Sequence, residues 1–439
     1  MEKKVSIVVD MVYGDTGKGT VTDYLSSLDP GSTVIRYNGG PQAGHNVITP
    51  SGLQHTFSQF GSGTFWGSKT YISRFTLVNP LNFLSESEHL QSLIPSLNPF
   101  SLVTIDKEAQ VITPFEISAG RIRELLRKEN KHGSCGEGIG EMGLDQKLGE
   151  KSLRISDLLE PSTLHAKLAS IQERKIEQIK PLLVEPMNEN LLKEWKSLKD
   201  TKALSVLRDL YLWFAKQVSL VEGDYLGTIL ESGSAIFEGA QGVLLDGLFG
   251  FHPYTTWSNT TAKNAKDLLK ENNYINEVTT YGLFRGYYTR HGAGPFITED
   301  SLLSEQFQDS NNQTNPWQDS FRVGHFDLVA ARYALECCKD IDKLIFTNLD
   351  RMVGHSWKVA TNYKNPAKLS VPANRNEQEQ LTKVASLAVP VYKNVKLKTP
   401  AMVNQYVKEL SRSLKLPIAL TSWGKTYLEK TIPSPISLL

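Results

Sequence analysis

The sequence has 439 residues, enough for one large domain or two to three ordinary ones, and its 40% hydrophobic and 22% charged content is normal for a chain with a real core. A formal net charge of +1 offers no field for nucleic acid or an anionic membrane, so any anionic ligand must be held by local design. No apolar run nears the roughly 20 residues that span a bilayer, and three cysteines, two of them adjacent (Cys337 and Cys338), make neither a disulfide framework nor a zinc site; a reduced, cytoplasmic protein is expected.

The first element, "KVSIVVD", is a continuous β-rich run of the kind buried on both faces of a parallel sheet. "MVYGDTGKGT" follows, ending at Thr20. It looks like a phosphate cradle, yet the G-x-x-x-x-G-K spacing fails, because counting back from Gly17 finds Val12. Gly14, Gly17 and Gly19 still let backbone approach phosphate, Lys18 supplies a point charge, and "TVTDYLSSL" has helical spacing. Asp15 is the odd member. A carboxylate among such amides repels phosphate unless it binds Mg²⁺ or transfers a proton; the plainer reading is a capping Asp in a tight turn.

Apolar runs then recur: "STVIRYN", "KTYISRFTLVNP", "SLVTIDKEAQVIT", "SAIFEGAQG" and "DKLIFTNLD". Helical stretches such as "ISAGRIRELLRKE" and "FDLVAARYALECCKD" alternate with them, which argues one α/β domain over residues 1–439 with a mostly parallel central sheet. Residues 160–232 are charged and helical, and read as a helical excursion packed on the sheet domain. Residues 300–320 are polar and turn-rich, and read as a long substrate loop.

Several glycine loops follow β-like runs. "RYNGGPQAGHN" carries Gln42, Gly44 and His45; "GSCGEGIGE" carries Cys135; "IFEGAQGVLLD" carries Gln241. "SNTTAKNA" offers hydroxyls at a helix start, "YYTRHGAGPF" holds Arg290 and His291, and "IFTNLD" ends on Asn348 and Asp350. Any one of these is ordinary turn punctuation. Together they place ligand-facing backbone at one edge of a sheet, where open α/β folds bind ligands.

Taken in order, the segments resemble the adenylosuccinate synthetase family over almost the whole chain. "YGDTGKG" is similar to its Trp-Gly-Asp-Glu-Gly-Lys-Gly, and "NGGPQAGHN" to its Gly-Gly-His-Asn-Ala-Gly-His-Thr. "FEGAQGVLLD", "SNTTA", "TRHGAGPF" and "RVGHFDLVAARYA" are closer still. The resemblance implies a homodimeric ligase that joins aspartate to the 6-position of IMP, driven by GTP and Mg²⁺. It implies Asp15 as base at N1 and, with the Gly44 carbonyl, as metal ligand; His45 acting on the reacting oxygen; and Gln241 orienting the 6-oxygen. It further implies Gly14, Thr16, Gly17, Lys18, Gly19 and Thr20 around the β- and γ-phosphates, and Asn348, Asp350, Ser422 and Gly424 around the triphosphate's base. Gln42, Cys135, Thr256, His291 and Arg322 are implied as substrate contacts, Thr256 at the nucleotide's own phosphate and Arg322 near the ribose and the amino-acid carboxylate.

Departures from the family pattern cluster on the acceptor and amino-acid contacts. Cys135 stands for a phosphate-binding threonine, Glu137 for an arginine, and only Glu150 or Lys151 aligns with the arginine that crosses the dimer interface. "NNQTNPWQDSFRVG" keeps a single arginine, Arg322, of a cluster, Asn348-Leu349-Asp350 replaces Lys-x-Asp, and His291 replaces a small apolar residue of the purine pocket. The alternatives are therefore a ligase for GMP or dGMP, another amino acid or ATP, a nucleotide-binding regulator that no longer ligates, and, least favoured by the loop spacing, a GTPase-type switch.

Overall fold

Strand β1 (Val5–Asp10) is buried at every position. Its side chains alternate as a pleated strand requires: Val5, Ile7 and Val9 enter the largest apolar core, while Val8 meets Val21 of helix α1 (Lys18–Leu28) on the other face. The computed structural model describes residues 3–307, 321–364 and 368–434. Its main sheet adds β2 (Thr33–Arg36), β3 (Lys69–Ile72), β4 (Val103–Asp106), β5 (Ser219–Val221), β6 (Ala235–Glu238), β7 (Val278–Arg285), β8 (Lys343–Thr347), β9 (Ile418–Ser422) and β10 (Lys430–Thr431).

These ten strands lie in the order β10-β9-β8-β7-β1-β6-β2-β3-β4-β5. Every neighbouring pair from β9 to β5 is parallel, and only the edge strand β10 runs antiparallel. The α/β class with a mostly parallel sheet, expected from the sequence, is the fold. Because these strands share one direction, the loops leaving β1, β2, β6, β7, β8 and β9 all emerge at the same edge.

The excursion at 160–232 supplies helices Pro161–Ile179, Glu189–Leu198, Ala203–Gln217 and Tyr225–Ser232. One part of that expectation is corrected: the segment is not wholly helical, since β5 lies inside it and pairs with β4. Three residues are too few for period-two alternation to register beside a long helical pattern. Leu164, Leu168, Ile171, Leu207, Tyr211 and Phe214 of the excursion share a second core with Phe83, Val103 and Ile105.

The polar 300–320 segment opens with helix Ser301–Gln306, whose first amides at Leu302 and Leu303 are capped by the Asp300 carboxylate; residues 308–320 of the expected substrate loop lie outside the described residues. No helix among the described residues is long and apolar enough to cross a membrane.

Candidate active site

The loop after β1 winds around one buried carboxylate. Asp10 Oδ1 accepts from the amides of Val12 (2.8 Å) and Gly14 (3.3 Å), while Oδ2 accepts from the Thr16 amide (3.1 Å), the Thr16 hydroxyl (2.7 Å) and Lys18 Nζ (2.9 Å). Lys18 Nζ also donates to the Gly14 carbonyl at 2.6 Å. The lysine expected to face phosphate is thus buried and braces the loop from within. Gly17, at φ 81° before the first turn of α1, holds a left-handed conformation that suits glycine.

Asp15 is the loop's outward carboxylate. Its side chain is about a third exposed, lies on the cavity wall and sits 3.3 Å from an Arg285 guanidinium nitrogen. Arg285, at the end of β7, also donates to Asn348 Oδ1 (3.1 Å) and the Thr289 hydroxyl (3.1 Å), linking Asp15 to the loop after β8. Sequence reading missed this residue; an arginine ending a buried strand was the available signal.

His45 opens a strand, His45–Ile48, that pairs with Gln54–Phe57. Its Nδ1 meets Glu238 Oε1 at 2.7 Å, and Glu238 Oε2 accepts from the Ser62 amide at 3.1 Å, with the Ser62 hydroxyl on Oε1. Burial pushes the His45 imidazole below its usual value, against the pull of Glu238. Burial alone raises the Glu238 carboxyl, but His45, Arg36 and Ser62 outweigh it and bring it down to about 2. A neutral ring donating Nδ1–H to an ionised carboxylate keeps Nε2 as the atom available for chemistry. Glu238, at the end of β6, was also missed, although it stands in the quoted "FEGAQG".

Gln241 sits at φ 55°, a strained conformation for a residue with a side chain. Its Oε1 accepts from Gln42 Nε2 at 3.1 Å, which turns its own amide nitrogen outward as a donor. The loop that follows is wound around a second buried carboxylate: Asp246 accepts from the amides of Leu248 (2.7 Å), Phe249 (3.1 Å) and Thr260 (2.6 Å). Thr256, carried on this loop, has its hydroxyl 3.2 Å from that of Ser258.

A cavity of about 950 Å³ gathers Gly14, Asp15, Gln42, Gly44, His45, Cys135, Gln241, Thr256 and His291 on one wall system. Burial pushes the Cys135 thiol up to about 12, so it meets the cavity as a neutral group. His291 Nδ1 is buried with no hydrogen-bond partner among the described residues. Arg290, also on the wall, is buried over the Tyr13 ring at 4.5 Å and donates to the Pro295 carbonyl at 2.6 Å.

The remaining expected residues are not among those that line this cavity. Thr16, Gly17, Lys18, Gly19 and Thr20 form the cradle and first turn of α1. Asn348 and Asp350 follow β8, and Ser422 and Gly424 end β9 and open the next loop. They are tied to the cradle, since the Thr347 hydroxyl donates to the Thr16 carbonyl at 2.8 Å and the Thr20 hydroxyl to the Lys425 carbonyl at 3.2 Å. Arg322 is placed differently from the others: it pairs with Glu299 at 2.7 Å and donates to the Gly292 and Gly294 carbonyls (2.7 and 3.0 Å), bracing the turn that carries His291.

The Asp15 carboxylate and the Gly44 carbonyl are hard oxygen donors facing one cavity, which fits Mg²⁺, an ion held through one or two protein oxygens plus substrate phosphates. Among the described residues no group of three or more His, Cys, Asp or Glu side chains forms a separate metal cage.

The chain's relatives are ligases that form C–N bonds. The family model for adenylosuccinate synthetase matches residues 7–431. The chain is 30% identical over 446 residues to the adenylosuccinate synthetase of Brevibacillus brevis, covering 95% of this chain and 96% of that one. It is 29% identical to that of Actinobacillus succinogenes, covering 98% of each. Its fold is similar to the solved structure of fully ligated adenylosuccinate synthetase from Plasmodium falciparum, with a TM-score of 0.79 at 19% identity over 98% of this chain and 100% of that one. It is also similar to cyanophage S-2L succinoaminodeoxyadenylate synthetase bound to dGMP and dATP, with a TM-score of 0.52 at 14% identity over 99% and 97% of the two chains. The chain belongs to the adenylosuccinate synthetase family, and its general activity is the joining of a purine nucleotide to aspartate.

Proposed function

We propose that the protein makes adenylosuccinate from IMP and aspartate, with GTP as phosphoryl donor and Mg²⁺ as cofactor, working as a cytoplasmic homodimer. The observation that carries this reading is the convergence of the Asp15 carboxylate, the His45–Glu238 pair and the Gln241 amide on one cavity beside a phosphate-type cradle. The purine 6-oxygen is a poor leaving group, so it must be phosphorylated before an amine can displace it. Asp15 takes the N1 proton, which drives electron density onto the 6-oxygen. His45, its ring oriented by Glu238, donates from Nε2 toward charge developing at that oxygen once that nitrogen carries a proton, the adjacent Glu238 carboxylate stabilising the imidazolium. The outward amide of Gln241 fixes the oxygen's direction.

Positioning and charge neutralisation dominate phosphoryl transfer. The amides of Gly14 to Thr20, in a loop braced from within by Lys18, hold the β- and γ-phosphates; Asn348 and Asp350 read the donor's base, and Ser422 and Gly424 close over it. Thr256 takes the acceptor's phosphate, and Arg322 supports the ribose and the aspartate carboxylate. Bound through Asp15 and Gly44, Mg²⁺ would neutralise charge on the transferring phosphoryl group.

His291 supports a second acceptor. An imidazole nitrogen buried without a partner on the cavity wall suits an exocyclic 2-amino group, which guanine has and hypoxanthine lacks. The cyanophage enzyme, whose solved complex holds dGMP and dATP, is a similar fold with such an acceptor. Purified protein is assayed with aspartate, GTP or ATP, Mg²⁺ and each of IMP, GMP and dGMP, following phosphate release and the ultraviolet spectrum of the product. Turnover with IMP supports the first reading, turnover with GMP or dGMP alone the second, and none in any combination overturns both. Asp15→Asn is expected to lower kcat by about 10²- to 10⁴-fold while triphosphate affinity is kept.

A further inference from the structure

One stretch of the cavity wall gathers Arg375, His252 and His132. Helix Arg375–Leu387, capped by Asn374, is docked on the loop that carries Thr256. Gln378 Nε2 donates to the Gly247 and Gly250 carbonyls (3.2 and 2.9 Å), and the Thr382 hydroxyl donates to the His252 carbonyl (2.7 Å). This docking sets the helix start at the cavity, where Arg375 lines the wall with His252, Thr255, Thr256 and His132. The Arg375 guanidinium is steadied by a 2.6 Å hydrogen bond to Gln378 Oε1.

Arg375 differs from Arg123 and Arg127, which hold carboxylates, and from Arg290, which is buried and donates to the Pro295 and Tyr254 carbonyls. Arg123 is paired with Glu141 at 2.7 Å and Arg127 with Glu124 at 2.5 Å. Arg375 makes no ion pair among the described residues. Burial first, then the fields of Arg375, His132 and Lys147, hold the His252 ring below its usual value, with Glu379 the opposing charge. Like charges gathered around a concave surface raise the local concentration of an anion and are relieved by binding it. Two threonine hydroxyls on the same cavity wall as a planar guanidinium fork are groups that suit the oxygens of a phosphate monoester.

We propose that Arg375, with Thr256 and His252, binds the 5′-phosphate of the acceptor nucleotide and is a specificity-determining residue for nucleotide over nucleoside. The proposal rests on the purine-nucleotide ligase reading above. It assigns the cation to the same chain as the threonines, in a protein whose third glycine loop offers a neutral Cys135 and an acidic Glu137.

The test compares wild type, Arg375→Ala and Arg375→Lys by calorimetry with IMP against inosine and GMP against guanosine, and by KM for aspartate and for the triphosphate. Arg375 is exposed, so the alanine variant is expected to fold, and a thermal melt checks it. Loss of a charged hydrogen bond predicts that Arg375→Ala binds the monophosphate about tenfold or more weakly, with nucleoside affinity unchanged and partial recovery in Arg375→Lys. Equal loss for nucleoside and nucleotide, a loss confined to aspartate or the triphosphate, or no loss would overturn the assignment of Arg375 alone. A wild type that binds no purine monophosphate would overturn the ligase reading and this proposal with it.

Discussion

At the residue scale, three loops of the site are each organised by a carboxylate that gathers backbone amides. Asp10 gathers the amides of Val12, Gly14 and Thr16, Asp246 those of Leu248, Phe249 and Thr260, and Glu124 those of Gly133 and Ser134 (2.9 and 3.2 Å). Loops with few regular hydrogen bonds must satisfy buried amides somehow, and an ionised acceptor does so for several at once. Glu238 extends the device to chemistry, because its acceptor pair fixes the ring of His45. The sign of its pH effect follows. Its folded carboxyl lies near 2 against an ordinary 4.5, so its stabilisation is complete above about pH 4.5 and lost as pH falls toward 2. His45, held below 6.5 by burial, adds loss of stability in the same direction once the unfolded chain begins to take up its proton. Glu238→Gln is therefore expected to cost about 1.5–3 kcal/mol at neutral pH and to flatten the decline between pH 4.5 and 2. Urea midpoints across that range check it; parallel profiles for wild type and variant would refute the pairing as the source.

At the scale of elements, α1 is pressed against the strand that carries His45. A Cβ added at Gly19 would lie 2.8 Å from His45 Cβ and 3.0 and 3.1 Å from its backbone carbon and Cα. Alanine is the better helix former by about 1 kcal/mol, yet here the contact is with backbone that cannot swing away. Gly19→Ala is expected to lose about 1–3 kcal/mol by overpacking and to lower kcat by moving His45. Gly233→Ala, where a Cβ meets nothing within 4 Å, is the neutral control. Stability or kcat unchanged in Gly19→Ala would mean that the helix and strand slide apart freely. Such elements were legible in sequence where strand, glycine loop and helix are contiguous, as from Val5 to Leu28. Arg285 and Glu238 were not, because their roles come from partners far along the chain: Glu238 is 193 residues from His45, and Arg285 is 63 from Asn348. A loop glycine signals its conformation locally, whereas a bracing carboxylate reads like any surface acid until the fold buries it. The same limit hid the inward turn of Lys18, which only the placement of Asp10 reveals.

At the scale of the whole molecule, the helical excursion is wired into the site. Lys175, fully buried on helix Pro161–Ile179, donates to Glu141 at 2.9 Å and Asp145 at 2.7 Å, both on helix Ile139–Leu148, which follows the third glycine loop. Arg174 pairs with Asp145 at 2.9 Å and Arg123 with Glu141 at 2.7 Å, and both Arg123 and Glu141 reach the cavity wall. With β5 at the sheet edge and Tyr211 and Phe214 in the second core, the excursion supports the wall through charge as well as packing. Lys175→Met keeps the apolar stem but leaves two buried carboxylates short of a cation. Breaking a buried pair from one side costs about 3–5 kcal/mol, so the variant should unfold at markedly lower urea. Under native conditions it should also bind the acceptor nucleotide more weakly, because Glu141 and its arginine lose their anchor. Glu173→Ala, exposed on the same helix, should stay within about 0.5 kcal/mol of wild type. If Lys175→Met lowers stability while acceptor affinity is untouched, the network holds the excursion to the sheet and the cavity wall stands without it.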